Sequence, residues 1–154
     1  MSLYQILKFI HVFAAIIAVG FNFSYIVWLV KGKMEKEHLL FSLRGIKLMD
    51  DRVANPCYGL VVITGFAMTY VAGYNILEVP WILYPLILFA VMGILAFGFY
   101  SPTLKKQIKI VQEYGGDSPE YKAVEKKQMA IGVTLFALAV AVVAIMVVKP
   151  LGKN

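Results

Sequence analysis

Four long apolar stretches, at residues 3–30, 56–74, 81–100 and 129–148, constrain the fold of this 154-residue chain more than any other feature. Each is close to the roughly 20 residues that an α-helix needs to cross about 30 Å of hydrocarbon. Backbone polar groups in lipid must be hydrogen-bonded within the chain, so helices are expected. The sequence therefore predicts an all-α, up-down bundle of four transmembrane helices that forms one domain over residues 1–154.

The composition excludes a soluble protein. The chain is 60% hydrophobic and 16% charged, whereas soluble domains are roughly 45–50% apolar and about 25% charged. A soluble domain of this size could not bury so much apolar side chain. Phosphate loops, nucleophile elbows and metal-spaced Cys/His clusters are absent from the sequence, so nothing in it predicts an independent enzymatic activity.

Prolines and capping residues predict where the helices begin and end. Asn55-Pro56 is typical of a helix start, and Val79-Pro80 predicts the start of the third helix. The loop between the second and third helices is short, which predicts that these two helices are antiparallel neighbours. The last helix is predicted to begin near Pro119, well before its apolar part.

Two segments continue the helices beyond the bilayer. Apolar residues at helical spacing after Tyr100 predict an amphipathic extension of the third helix to about Tyr114. Together with the early start of the last helix, this predicts a hairpin that protrudes on one side of the membrane. Residues 37–49 show a similar pattern and predict an interfacial helix or a protruding turn.

Basic residues predict the orientation of the bundle. Twelve of the fifteen lysines and arginines lie in residues 31–52 and 101–127, and the other three are Lys8, Lys149 and Lys153. The positive-inside rule then predicts an inner (plasma) membrane protein with cytoplasmic basic loops and with both termini outside. Anionic lipid headgroups are the expected contacts of these residues, and no nucleic acid is needed to explain them.

Within the apolar stretches, His11 and Asn22 are the polar residues that most invite a functional interpretation. They lie eleven residues apart, which returns them to nearly the same helix face. Met68 is expected at the same depth on the second helix, with Thr64 one turn deeper, and Lys8 lies one turn outward from His11. Since His and Met commonly ligate haem iron, this set predicts a haem b pocket near the outer leaflet with His11 as the metal ligand.

Each of these patterns also has a structural interpretation. His11 would then be hydrogen-bonded to a neighbouring helix, with Met68 as a filler of the core. Asp50 and Asp51 are interpreted as helix caps or as partners of Arg44 and Arg52. The middle of each span lacks Asp and Glu, which argues against a proton-coupled transporter.

The sequence resembles an uncharacterised family of bacterial integral membrane proteins, domain of unknown function 2269. The resemblance rests on the segments 7–22, 51–68 and 100–106, including Lys8-Phe9-Ile10-His11 and Asn55-Pro56. That family is distantly similar to copper-resistance D-type proteins and to the haem-containing J-type protoporphyrinogen oxidase. The resemblance implies that His11 takes the position of a haem-linked histidine. The third helix lacks a basic residue in its membrane part, so the oxidase activity is not implied, and the copper proteins' richer His/Met sets are missing.

Three classes of function remain open. The first is a haem b-binding redox protein, the second is a non-catalytic subunit or assembly factor of a larger membrane complex, and the third is a transporter of a small ion or metal. A homodimer also remains open, since a second His11 from a partner could complete a bis-histidine site. The lack of carboxylates within the spans makes transport the least favoured class.

Overall fold

The computed structural model describes residues 1–149 and contains helices and turns without strands in that range. Six α-helices follow one another: α1 (Leu3–Met34), α2 (Leu39–Met49), α3 (Asn55–Ala72), α4 (Pro80–Leu95), α5 (Ser101–Tyr114) and α6 (Pro119–Val148). Two π-helical turns, Asp50–Ala54 and Ala96–Tyr100, join α2 to α3 and α4 to α5 without a break. The chain therefore forms four long rods, each long and apolar enough to cross a membrane, which confirms the all-α four-helix prediction. Of the basic residues considered above, Lys153 lies outside the described range.

Local signals set several helix ends as predicted. Gly73 adopts a left-handed conformation (φ 69°) directly after α3, a conformation that glycine adopts without steric cost. Val79 is the N-cap of α4 and Ser118 is the N-cap of α6, where its hydroxyl accepts a hydrogen bond from the Tyr121 amide. Local chemistry was therefore sufficient to predict the starts of α4 and α6.

The prediction that a separate helix begins at Asn55-Pro56 is wrong, although the regular α-helical part that we call α3 starts there. Residues 54 and 55 are helical and Asn55 makes no capping bond, because the helix passes through this point from α2. A proline inside a helix clashes with the carbonyl group four residues earlier, which here is Arg52. That carbonyl lies in the π turn, and the wider turn accommodates the ring.

The transmembrane parts of the second and third rods, α3 and α4, are not the close neighbours that were predicted, although α2 and α5 of the same rods pack on each other. α1 packs on α3, and α4 packs on α6, while the described backbones of α3 and α4 do not approach each other. The connecting loop, residues 73–79, can span about 20 Å when extended, so it leaves room for the two pairs to separate. The bundle is thus two helix pairs with a cleft between them.

The tightly packed core lies at one end of the bundle. We call this the basic end, because residues 31–52 and 101–127 lie there, and we call the other end, with Leu3, the 73–79 loop and Val148, the terminal end. The core residues Leu39, Leu43, Ile46 and Leu104 are at most 3% exposed. They come from α2 and α5, which pack on each other; α2 also packs on α1, and α5 also packs on α6. The basic end therefore anchors the fold, and the terminal end can hold an opening.

Candidate functional site

A cleft of about 630 Å³ separates the two helix pairs toward the terminal end. Its walls are mostly apolar, and residues from α1, α3, α4, α6 and the 73–79 loop line it. Ligand pockets in proteins typically have volumes of about 300–1,000 Å³. The cleft is therefore large enough for a cofactor-sized apolar molecule.

His11 is the histidine of this cleft, and its hydrogen bond defines which ring nitrogen carries the proton. Its Nδ1 lies 3.0 Å from the Thr64 hydroxyl oxygen. The single hydroxyl proton of Thr64 is directed at the Leu60 carbonyl oxygen, 2.6 Å away, so Thr64 accepts from His11 Nδ1. In the neutral imidazole, Nε2 then carries the lone pair. The contact with Thr64 is thus made by Nδ1 and not by Nε2.

Gly65 makes room for the His11 ring against α3. A Cβ atom at this position would lie 3.3 Å from His11 Cε1, which is tighter than most contacts in proteins. The absence of a side chain at Gly65, next to the acceptor Thr64, therefore sets how closely the imidazole approaches α3. Gly65 thus allows a close approach to α3, and the group that approaches is the His11 side chain.

Three of the other predicted residues occupy different places around His11. Met68 and Lys8 line the same cleft, Met68 being one helical turn beyond Thr64 toward the terminal end. Asn22 is deeper in the bundle, where its Nδ2 donates to the Tyr58 hydroxyl oxygen at 2.5 Å. The Tyr58 ring meets Phe89 edge-on, with 5.6 Å between centroids, and Phe89 lines the cleft. The structure therefore brings His11, Thr64, Met68 and Lys8 together and places Asn22 beneath the cleft floor.

Lys149 and Trp81 line the cleft, and the sequence did not assign either of them to the site. Lys149 follows α6, and its Nζ lies 4.5 Å from the centroid of the Trp81 ring. With Lys8, it gives the terminal end of the cleft two cationic groups. Lys149 directly follows the last apolar stretch, which indicated a cation at the end of that helix. The sequence did not show that Lys149 faces Trp81, because this depends on the pairing of α4 with α6.

The residues of the cleft fit haem b. This cofactor is a flat, largely apolar macrocycle with two carboxylates, and its iron binds an imidazole nitrogen. The cleft offers apolar walls, an imidazole that contacts Thr64 through Nδ1 rather than Nε2, and two lysines at its terminal end. A histidine that ligates a metal usually donates its other ring N–H to a neighbouring acceptor, as His11 does to Thr64.

Asp50 has a different environment from the one that its sequence predicted. It is 9% exposed, and neither Arg44 nor Arg52 pairs with it or with Asp51 in the described residues. Asp51 instead pairs with Lys47. Asp50 faces the bundle interior near Tyr25, Tyr58 and Tyr100. The interpretation of Asp50 as a cap or a surface ion-pair partner is therefore wrong.

The fold and the composition define an integral membrane protein with several spans. The chain matches the family model described as "predicted integral membrane protein (DUF2269)" over residues 5–150, and it belongs to this family. Neither a curated protein nor a solved structure matches it.

Proposed function

We propose that this protein binds haem b in the cleft, with His11 Nε2 as an iron ligand, and that it acts as a small redox protein of the membrane. The observation that carries the proposal is the His11–Thr64 hydrogen bond inside an apolar cleft of about 630 Å³. With Thr64 as the acceptor, this bond favours the tautomer that carries its proton on Nδ1 and its lone pair on Nε2. The distant resemblance to copper-resistance D-type proteins and to the J-type protoporphyrinogen oxidase, which implies a haem-linked histidine at His11, favours the same assignment.

Each cleft residue has a role in this proposal. His11 ligates the metal, and Thr64 orients its ring and holds its tautomer. Lys8 and Lys149 pair with the carboxylates, while Trp81 and Phe89 exclude water. Met68, which also lines the cleft, would be the candidate for a second iron ligand. The bound cofactor would supply one-electron transfer, and the positive-inside rule would place the cleft near the outer leaflet of the plasma membrane.

The test is the visible spectrum of the full chain, purified in detergent after expression with haem supplied. We expect a Soret band that His11→Ala abolishes. His38→Ala is the matched control, because His38 is exposed at the basic end beside Glu35, and it should leave the band unchanged. A colourless wild-type protein would contradict the proposal. If that colourless protein co-purified with a large partner, the alternative of a non-catalytic subunit or assembly factor would be favoured.

A further inference from the structure

The cleft opens sideways toward the lipid between α1 and α6. These two helices meet on the basic-end side of the cleft, where the ring centroids of Phe23 and Phe136 are 6.1 Å apart. Beyond this contact, both helices line the cleft, α1 with residues between 4 and 20 and α6 with residues between 142 and 147. The two helices therefore diverge toward the terminal end, and the cleft lies between them.

Four apolar side chains mark the two rims of this opening, namely Val12 and Ile16 of α1 and Val143 and Val147 of α6. Each of them lines the cleft and is also 40–75% exposed, whereas side chains between two packed helices would be buried. Gly20 lines the deeper end of the opening, and a Cβ atom there would meet no atom within 4 Å. The hydrocarbon of the bilayer can therefore reach the cleft directly.

The gap on the opposite side of the cleft, between α3 and α4, is bridged at both of its ends. The 73–79 loop joins these helices at the terminal end, and the Tyr58 ring contacts Phe89 at the cleft floor. The α1–α6 side, with its exposed apolar rims, is therefore the side from which we expect lipid to enter.

The terminal end of the cleft combines aromatic rings with positive charge. Tyr4, Tyr74 and Trp81 line it, and tyrosine and tryptophan rings prefer the level of the lipid head groups. Lys8 and Lys149 line the same end, and none of the described residues that line the cleft is an aspartate or a glutamate. The cleft thus presents cations at the depth of the lipid phosphates and apolar walls below them.

We propose that an anionic phospholipid binds in this cleft from the leaflet at the terminal end, with its phosphate near Lys8 and Lys149 and one acyl chain between α1 and α6. Lysine ammonium groups bind phosphate oxygens, and the apolar walls accept the chain. Lipid binding goes beyond the function proposed for the cleft and does not depend on it, because it needs neither His11 nor iron. In the haem-free protein, the lipid occupies the space assigned above to haem.

Quenching of Trp81 fluorescence by brominated lipids tests the proposal on the full chain in nanodiscs. Trp28→Phe leaves Trp81 as the only tryptophan. In phosphatidylcholine nanodiscs, we expect brominated phosphatidylglycerol to quench Trp81 at a lower mole fraction than brominated phosphatidylcholine does. Lys8→Gln should raise the half-quenching fraction of brominated phosphatidylglycerol by roughly fivefold, the effect of one lysine beside an anionic lipid surface.

Filling the opening tests the route of entry. Gly20→Phe adds a side chain that tilts toward the N-terminus of α1 and therefore lies along the opening, so it should weaken quenching by brominated phosphatidylglycerol. Gly59→Phe is the matched control. Gly59 is an exposed helical glycine that also has no atom within 4 Å of an added Cβ, but it does not line the cleft. Its replacement should leave the quenching unchanged.

Two results would overturn the proposal. The first is an equal half-quenching fraction for the two head groups, and the second is undiminished quenching in a Gly20→Phe protein that keeps its helical content. If Gly20→Phe does not fold, the comparison of head groups and Lys8→Gln still decides. A wild-type protein that is colourless with haem but shows the selective quenching would support lipid binding and contradict only the haem assignment.

Discussion

At the residue scale, the neighbours of His11 define its chemistry. Thr64 directs its own proton to the Leu60 carbonyl and therefore accepts from the imidazole. Gly65 leaves the space in which the ring lies. The Thr64 hydroxyl group thus determines the tautomer of His11, and the absence of a side chain at Gly65 determines the position of the His11 ring.

Replacing Thr64 tests this arrangement. Thr64→Val keeps the side-chain shape but removes the acceptor for His11 Nδ1–H. Loss of such an outer partner typically weakens metal affinity by about 10–100-fold, so we expect haem affinity to fall by a factor in this range while the helical content is retained. Haem titration followed at the Soret band measures the change.

Thr134→Val is the matched control for Thr64→Val. Thr134 also donates to a carbonyl of its own helix, that of Ala130 at 2.9 Å, but it is exposed. Its replacement should leave haem affinity unchanged. Equal affinities of Thr64→Val and the wild type would show that Thr64 does not position His11.

At the element scale, two of the four rods contain the same local structure, a π turn followed by a proline. The π turns Asp50–Ala54 and Ala96–Tyr100 are followed by Asn55-Pro56 and Ser101-Pro102. In each rod the carbonyl four residues before the proline lies within the wider turn, which relieves the clash with the ring. The π turn therefore lets each rod continue from its transmembrane part into the basic end, and it directs Asp50 and Tyr100 inward.

Exposed ion pairs join the elements of the basic end. Lys36, in the short 3₁₀ turn Lys36–His38, donates to both carboxylate oxygens of Asp117 at 2.8 Å. Asp117 lies in the turn between α5 and α6. The hydrogen bond from Lys36, followed by the charge of that lysine, lowers the pKa of Asp117 below its ordinary value.

A pH-dependent contribution to stability follows from the lowered pKa of Asp117. A carboxyl group with a lowered pKa in the folded state stabilises the fold above its unfolded pKa, about 3.9 for aspartate. This contribution is lost as the pH falls through the lower folded pKa. We expect Asp117→Asn to lower the melting temperature slightly at neutral pH, since exposed pairs contribute little, and to match the wild type in strong acid.

Thermal unfolding in detergent over a pH series measures this difference. Glu120→Gln is the control, because Glu120 forms no ion pair within residues 1–149, and it should show no such pH-dependent difference. A wild-type advantage over Asp117→Asn that grew toward acid would contradict the assigned role of the pair.

At the scale of the whole molecule, packing is divided between the two ends. The basic end has a continuous core of α1, α2, α5 and α6, whereas the terminal end consists of two helix pairs around the cleft. Stability therefore resides mainly at the basic end. A ligand site can then occupy the terminal end without disrupting the fold.

Truncating a core leucine tests this division. Leu43 is 0% exposed in the basic-end core, and its replacement by alanine is expected to cost about 2–5 kcal/mol of unfolding free energy. Leu48 of the same helix is 62% exposed, so Leu48→Ala should have little effect. Denaturant unfolding monitored by helical signal compares the two. Equal losses would show that the buried side chain of Leu43 does not contribute to a packed core at the basic end.

The sequence by itself determined the features that depend on neighbouring residues or on hydropathy along the chain. The four spans follow from hydropathy and length, and the ends at Gly73, Val79 and Ser118 follow from backbone conformation and capping. Helical periodicity relates sequence spacing to position in space, so the sequence could place Lys8 and His11 of the first helix near Thr64 and Met68 of the second. It is Thr64, however, and not Met68 as predicted, that lies level with His11.

Only the tertiary structure decided how the rods pair, and the buried polar chemistry depends on that pairing. Hydropathy does not distinguish a lipid-facing side of a helix from one that lines a cleft, so the separation of α3 from α4 and the position of Lys149 could not be predicted. Asp50 looked like a surface residue beside basic neighbours. It is buried because a π turn continues the helix through Asn55-Pro56 and because tyrosines from other rods surround it.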